Sequence, residues 1–418
     1  MRDVYILGVG MTRFGKHLDR TEKQLAAEAL KNTMQDVPGL ALGDIESAFF
    51  ANTSWGFFGM QHAIKGQVAL RPIGIEGIPI TNVENACACA STALHCAWKD
   101  VASGLYDCSL AIGMEKLYNE DKRKTMMAFN AGVDVANIQG HFEALRSIMD
   151  GVDLDIPQED DGGAGAGKTR SAFMDVYANL LRWHMATFGT TQRQLAMVAA
   201  KNHFHSTMNP NAQYRKDMSV EEILAGRSVI WPLTVPMCAP VGDGAAAAIV
   251  CSEDFLKRFT DVRPVKILAS LLGSGTSRPH HDLNNDIAVK LSGKAYGIAG
   301  VGPEDIDTAE VHDATAFGEI HQCESLGFCK IGEGGPFAES GATRLGGKIP
   351  INTSGGLESR GHPVGASGLG MIHELVTQLR HEAGQRQVQG CRLALGENGG
   401  GNLGFEEAAL GIHILERV

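Results

Sequence analysis

The sequence predicts an α/β protein made of two copies of one strand-and-helix unit, with extra chain inserted in the first copy. Three observations predict it: self-similarity that keeps one order along the chain, short β-rich runs alternating with helical patterns, and copies of unequal length. Val4-Tyr5-Ile6-Leu7 matches Val265-Lys266-Ile267-Leu268 at an offset of 261 residues. The same offset carries Ala27 and Leu30 onto Ala288 and Leu291 at helical spacing, and Asp44-Ile45-Glu46 onto Asp305-Ile306-Asp307. Ile78-Pro79-Ile80-Thr81 then matches Ile349-Pro350-Ile351-Asn352, and Cys108-Ser109-Leu110-Ala111-Ile112-Gly113 matches Cys391-Arg392-Leu393-Ala394-Leu395-Gly396, the offset growing to 271 and 283 as loops lengthen. Each copy reads strand, helix, strand, helix, strand, which favours a largely parallel sheet with helices on both faces. Residues 244–250 and 408–413 read as buried closing strands. From Cys391 only 27 residues remain, whereas 154 follow Cys108 before the second copy opens at about residue 263. The expected organisation is a first half over residues 1–262, with an insertion at about 119–230, and a second half over 263–418. Inside the insertion an acidic, Gly-rich piece at 153–167 precedes helical patterns at 173–183 and 191–203.

Composition narrows the function. The 418 residues are 44% apolar and 20% charged, with no apolar run of membrane-spanning length, so a soluble protein is expected. Lys+Arg 37 against Asp+Glu 48 gives a net charge of −11, which argues against nucleic acid and anionic membrane surfaces as partners. Residues 1–7 read as a strand, so no signal peptide is expected. Nine Cys without a CxxC pair fit a reduced, cytoplasmic compartment better than a disulfide framework or a zinc site, and no metal is expected. Gly8-Val9-Gly10 is followed by Arg13 where a dinucleotide fingerprint needs Gly, so no nicotinamide site is expected.

Three places carry candidate chemistry. Cys87, in Asn85-Ala86-Cys87-Ala88-Cys89-Ala90-Ser91, sits between an apolar run and a helical pattern at 91–101. A thiol there meets the positive helix end and free N–H groups that favour a thiolate and a neighbouring oxyanion. Cys89 and Cys96 read as packing residues. His362 lies in Gly361-His362-Pro363, within the Gly-dense run 355–368, where Pro363 fixes the backbone beside a candidate base. His312, in Glu310-Val311-His312-Asp313, ends a strand of the second copy, where open α/β sheets place ligands. Gly162 to Thr169 fits the G-x-x-x-x-G-K-[ST] phosphate-loop pattern, but Glu159-Asp160-Asp161 stand where a buried strand is required, so a loop near the substrate is expected instead of nucleotide hydrolysis.

Together these residues resemble the thiolase superfamily over nearly the whole chain. Asn85-x-Cys87-Ala88 looks like its nucleophile motif and Gly361-His362-Pro363 like its base motif. His312-Asp313, in place of Asn-Glu, is similar to the sterol-carrier-protein-2 type, the bacterial lipid-transfer proteins. Trp183-His184-Met185, Lys201-Asn202-His203 and Asp243-Gly244-Ala245 fit the same branch. The resemblance implies a duplicated thiolase fold of two βαβαβαββ halves in five αβαβα layers with an inserted loop domain, usually dimeric. It implies an acyl-CoA C-acyltransferase acting on 3-ketoacyl-CoA, with coenzyme A as substrate and no cofactor. Cys87 would be the nucleophile, His362 its base and His312 the partner of the thioester oxygen, with the N–H groups of Cys87 and Gly399 as an oxyanion hole. The family's second cysteine is missing: Ala314 and Glu397 stand at its two usual places, and Glu397 becomes a candidate acid/base. That loss keeps two alternatives open. One is a retro-aldolase on 3-hydroxyacyl-CoA beside a small OB-fold, zinc-ribbon partner; the other is a non-catalytic subunit binding acyl-CoA or lipid.

Overall fold

A computed structural model describes residues 2–157 and 163–418. Its strands are β1 (Val4–Met11), β2 (Ser47–Ala51), β3 (Ile80–Val83), β4 (Cys108–Lys116), β5 (Ser228–Ile230), β6 (Leu233–Thr234), β7 (Asp243–Ser252), β8 (Val265–Gly273), β9 (Thr308–Glu310), β10 (Leu393–Leu403) and β11 (Glu406–Arg417). Nine pair in the order β3-β2-β4-β7-β1-β8-β11-β10-β9, and β5 and β6 form a separate ribbon. This order is a mirror repeat about the β1–β8 seam, where only Tyr5 with Lys266 and Ile6 with Val265 pair. The duplication extends to the outer edge. Ile80 pairs in parallel with Ala48, and its sequence counterpart Ile351 bridges in parallel to Ala309.

The expectation of a largely parallel sheet is corrected. β2–β3, β2–β4 and β9–β10 are parallel, whereas β4–β7, β7–β1, β1–β8, β8–β11 and β11–β10 are antiparallel. The reason is the closing strand of each half. β11 follows β10 through a tight turn at Gly404 (φ +66°), too short for a parallel crossover.

Strand alternation builds five layers. Val4 and Ile6 face one hydrophobic cluster, which includes Leu94 and Ala97 of the helix Cys89–Ser103 and Ile372 and Leu375 of the helix Ser367–Leu379. Tyr5 and Leu7 point the other way, onto Leu25 and Ala29 of the helix Glu22–Gln35. In the second half Leu410, Ile412 and Ile414 pack on Ile287 and Leu291 of the helix Ile287–Ala299. Two helices, one from each half, therefore lie between the two wings of the nine-stranded sheet and carry the innermost core.

Between β4 and β7 the helices Ala172–Phe188 and Gln192–Thr207 cover one end of the second half, packing Leu181, Leu195 and Val198 against Phe317 and Ile320. Local signals set their ends. Ser171 accepts from the Phe173 N–H, Gly189 closes the first helix at φ +81°, and Thr191 with Gln194 forms a capping box for the second. Among the described residues no helix is long and apolar enough to cross a membrane.

Candidate active site

After β3 the chain turns through Glu84 and Asn85 into a short 3-10 turn, Ala86–Ala88, that leads into the helix Cys89–Ser103. Ala86 sits at φ +47°, a conformation unfavourable by roughly 1–3 kcal/mol for a residue with a Cβ. Local bonds hold it: Glu84 Oε1 accepts from the Ala86 N–H at 2.7 Å, Cys89 Sγ from the Asn85 N–H at 3.0 Å, and Asn85 Nδ2 donates to Thr92 Oγ1 at 3.0 Å. The strained turn presents Cys87 at the foot of a cavity of about 980 Å³.

His362 reaches this point from the other half. Gly356, at φ +61°, opens the short helix Gly356–Arg360, and a Cβ there would lie 2.0 Å from Asp313 Oδ2. Only glycine lets the Asp313 carboxylate reach this backbone, and Asp313 Oδ1 then accepts from the Leu357 N–H at 2.7 Å. The two histidine-bearing segments are thereby locked together. A second tie crosses between the halves, where Glu115 of β4 accepts from the Gly365 N–H at 3.1 Å while also holding Asn52, Thr53 and Ser54.

The ring orientations follow from their partners. His362 Nδ1 lies 2.7 Å from Ser367 Oγ, whose own hydrogen goes to the Pro363 carbonyl at 3.0 Å. Nδ1 must therefore donate, which leaves the lone pair of Nε2 facing Cys87 Sγ at 3.3 Å. Ser91 Oγ donates to Asn398 Oδ1 at 2.9 Å, so Asn398 Nδ2 donates to His312 Nδ1 at 3.0 Å. His312 Nε2 consequently carries the proton. One ligand-type atom from each of Cys87, His312 and His362 lies within 4.8 Å of the others.

The last strand motif turns its side chains to two faces. Along β10, Gly396, Asn398 and Gly400 share the face toward the central helices: a Cβ on Gly396 would touch Leu375, Asn398 meets Ser91, and a Cβ on Gly400 would lie 2.4 Å from the Ala88 nitrogen and 2.9 Å from that of Cys87. Glu397 is on the opposite face, because a one-residue step along a strand reverses direction. Its Oε2 accepts from the His312 backbone N–H at 2.9 Å, and it does not line the cavity. Gly399 does line it, and a Cβ there would lie 2.1 Å from Glu407 Oε1.

Burial governs the charge states. The Cys87 thiol is pushed up to about 12 by desolvation, reinforced by the Glu115 and Glu84 carboxylates. Desolvation, then His312 and Arg360, holds His362 well below the ordinary imidazole value, and His312 is lowered to about 4 for the same leading reason. The resting pair is thus a neutral thiol beside a neutral imidazole, where the helix end alone suggested a thiolate.

Thiolase family models match residues 4–224 (thiolase, N-terminal domain) and 275–415 (thiolase C-terminal domain-like). The chain belongs to the thiolase family. Over its full length it is 36% identical to all of an acetyl-CoA acetyltransferase of Methanothermobacter thermautotrophicus. It is 34% identical over 93% of its length to 92% of the benzoylsuccinyl-CoA thiolase subunit BbsB of Thauera aromatica, and 35% identical over 97% to 73% of bovine sterol carrier protein 2. In fold it resembles the Ltp2-ChsH2(DUF35) aldolase, with a TM-score of 0.75 at 23% identity, covering 99% of this chain and 98% of that one. Human mitochondrial 3-ketoacyl-CoA thiolase also shares the fold, at a TM-score of 0.67 and 17% identity, covering 100% of this chain and 99% of that one.

Within this thiolase fold Ala314 lines the cavity, as do Met174 and Tyr177, while Met185 packs in the adjoining core. Of the phosphate-loop pattern, Gly162 and the acidic Glu159-Asp160-Asp161 lie outside the described residues; Lys168 and Thr169 line the cavity mouth. Residues 152–157 form no strand ahead of it. Four residues were not singled out from sequence: Ser367, Asn398, Glu115 and Glu407. Asn398 directly follows Glu397 in the chain, and strand alternation was the signal that could have found it.

Proposed function

We propose that this chain is an acyl-CoA C-acyltransferase that cleaves or forms 3-ketoacyl-CoA through an acyl thioester on Cys87. The observation that carries the reading is the relay Cys87–His362–Ser367, with the basic imidazole nitrogen aimed at the thiol. His362 takes the thiol proton as Sγ attacks the 3-keto carbon, and Ser367 steadies the imidazolium. His312 Nε2–H donates to the thioester oxygen of the enolate, while the N–H groups of Cys87 and the Gly399–Gly400 run serve the tetrahedral oxyanion. Lys16, Lys122, Lys168, Arg215, Lys216 and Arg227 line the same cavity, a cationic wall on a protein of net charge −11, which suits the phosphates of coenzyme A. Retro-aldol cleavage needs no acyl-enzyme and would leave the thiol relay without a use, as would a non-catalytic acyl-CoA-binding role.

The assembly we propose is a symmetric dimer. The outer edge of β3 is unpaired among the described residues, and exposed Phe57, Met60 and Ile64 lie in the segment just before it. A small OB-fold, zinc-ribbon partner is a second proposed associate. Nine free thiols favour a cytoplasmic location, and coenzyme A is proposed as substrate with no further cofactor. The test is coenzyme A-dependent cleavage of a 3-ketoacyl-CoA by the wild type and Cys87→Ala. Loss in the variant supports the reading. Retained cleavage, or aldehyde or ketone release from a 3-hydroxyacyl-CoA that survives Cys87→Ala, overturns it.

A further inference from the structure

A thiolase that cuts the bond between C2 and C3 must also deliver a proton to C2, and here neither usual cysteine position holds a thiol. Ala314 and Glu397 stand at those places, Glu397 turned away from the cavity with its Oε2 accepting from the His312 N–H at 2.9 Å, and Cys89 is buried behind Cys87, with its sulfur accepting from the Asn85 N–H. Two carboxyl side chains line the cavity, Glu358 and Glu407, and Glu358 Oε2 already accepts from Asn202 Nδ2 at 2.7 Å. Glu407 lines it with Cys87, His312 and His362, and also lines the smaller adjoining cavity that His312 and Tyr177 border. Its Oε1 occupies the space that any side chain at position 399 would fill. Neighbouring carboxylates are neutralised: Arg278 pairs with Asp286 and with Glu406, each at 2.5 Å. The Glu407 backbone carbonyl accepts from the Gly275 N–H at 3.2 Å, but its carboxyl has no hydrogen-bond or ion-pair partner among the described residues and is open to whatever enters the cavity.

From this geometry we infer that Glu407 is the acid/base residue for the α-carbon of the acyl-CoA, in place of the family's second cysteine. Its surroundings keep it protonated while waiting. Burial raises it well above the usual carboxyl range, Glu397, Asp286 and Glu406 add to the rise, and Arg278 opposes it. The proton cycle closes. Cys87 gives its proton to His362, Sγ bonds to C3, the C2–C3 bond breaks, and its electron pair becomes the enolate of the leaving acyl-CoA. Glu407 protonates C2 and becomes a carboxylate. Incoming coenzyme A then gives its thiol proton to Glu407 while its sulfur takes the acyl group, and the Cys87 thiolate recovers the proton from His362.

The inference rests on the acyl-enzyme reading, so its test measures two half-reactions separately. Acylation of Cys87 by p-nitrophenyl acetate, whose phenolate leaves without needing an acid, is followed by intact mass, and exchange of the α-protons of acetyl-CoA into deuterated water by NMR. Glu407→Gln, close in shape, is expected to slow α-proton exchange by about 100-fold or more while acylation changes by less than about 3-fold. Exchange within about 3-fold of wild type, or equal loss in both half-reactions, overturns the inference. If Glu407→Gln does not fold, as judged by thermal melting, Glu407→Asp carries the same comparison with the same two outcomes. Failure of the wild type itself to acylate would instead strike the acyl-enzyme reading.

Discussion

Asn398→Ala tests how the His312 donor is prepared. The asparagine gives one hydrogen bond to His312 Nδ1 at 3.0 Å and receives one from Ser91 Oγ at 2.9 Å, both in buried surroundings. Removing it strands two polar atoms at roughly 1–3 kcal/mol each, so a drop of several degrees in melting temperature is expected. Activity loss is bounded on both sides. Losing a single neutral hydrogen bond corresponds to about 0.5–1.5 kcal/mol, and losing an entire oxyanion donor to about 2.7–4 kcal/mol, or roughly 10²–10³-fold. With the ring present but free to change tautomer and rotate, kcat/KM for 3-ketoacyl-CoA cleavage should fall about 10–100-fold. The decisive assay is a double-mutant cycle, because an effect transmitted only through His312 must vanish when His312 is absent. Adding Asn398→Ala to His312→Ala should change cleavage by less than about 2-fold. A single variant at near wild-type rate, or an undiminished penalty in the His312→Ala background, refutes the positioning role.

Other expectations follow from the same geometry. Ser367→Ala removes the acceptor for His362 Nδ1–H and should lower the rate of Cys87 acylation by roughly 10-fold with little change in acyl-CoA binding, read by single-turnover kinetics. Gly400→Ala places a methyl within 2.4 Å of backbone at the nucleophile turn and should abolish acylation, checked by intact mass with circular dichroism for folding. Arg360→Met strips the partner from buried Glu310 at 3.1 Å and should destabilise the fold by about 3–5 kcal/mol in urea unfolding. The Cys87 thiol is raised to about 12 and His362 is depressed, so both stay neutral across pH 7–9 and the thiolate fraction grows tenfold per pH unit. Iodoacetamide inactivation should therefore keep accelerating through that range. A plateau reached near pH 7 would mean a resident thiolate.

Much of this molecule is legible in its sequence, for identifiable reasons. The repeat register survives because core-facing strands keep their apolar alternation, so Val4–Leu7 and Val265–Leu268 mark β1 and β8 directly. Cys87, His312 and His362 stand out because glycine, proline and small residues around them serve close backbone approach. The antiparallel closing strands were hidden because alternation reports burial and says nothing of direction. Asn398 was hidden by a one-residue ambiguity in a run of glycines, where no side chain marks the face. Desolvation comes first, and the Glu115 and Glu84 side chains, from two separate segments, meet beside Cys87 only in the fold; together they turn the expected thiolate into a neutral thiol.

The central claim is a covalent bond at one atom, and it is tested most directly by mixing the protein with a 3-ketoacyl-CoA in the absence of free coenzyme A, quenching in acid and mapping the peptides by mass. The account predicts the acyl mass on the peptide bearing Cys87, discharged when coenzyme A is added before the quench. Cleavage of the substrate with Cys87 unmodified, or with the acyl group on another residue, would contradict it.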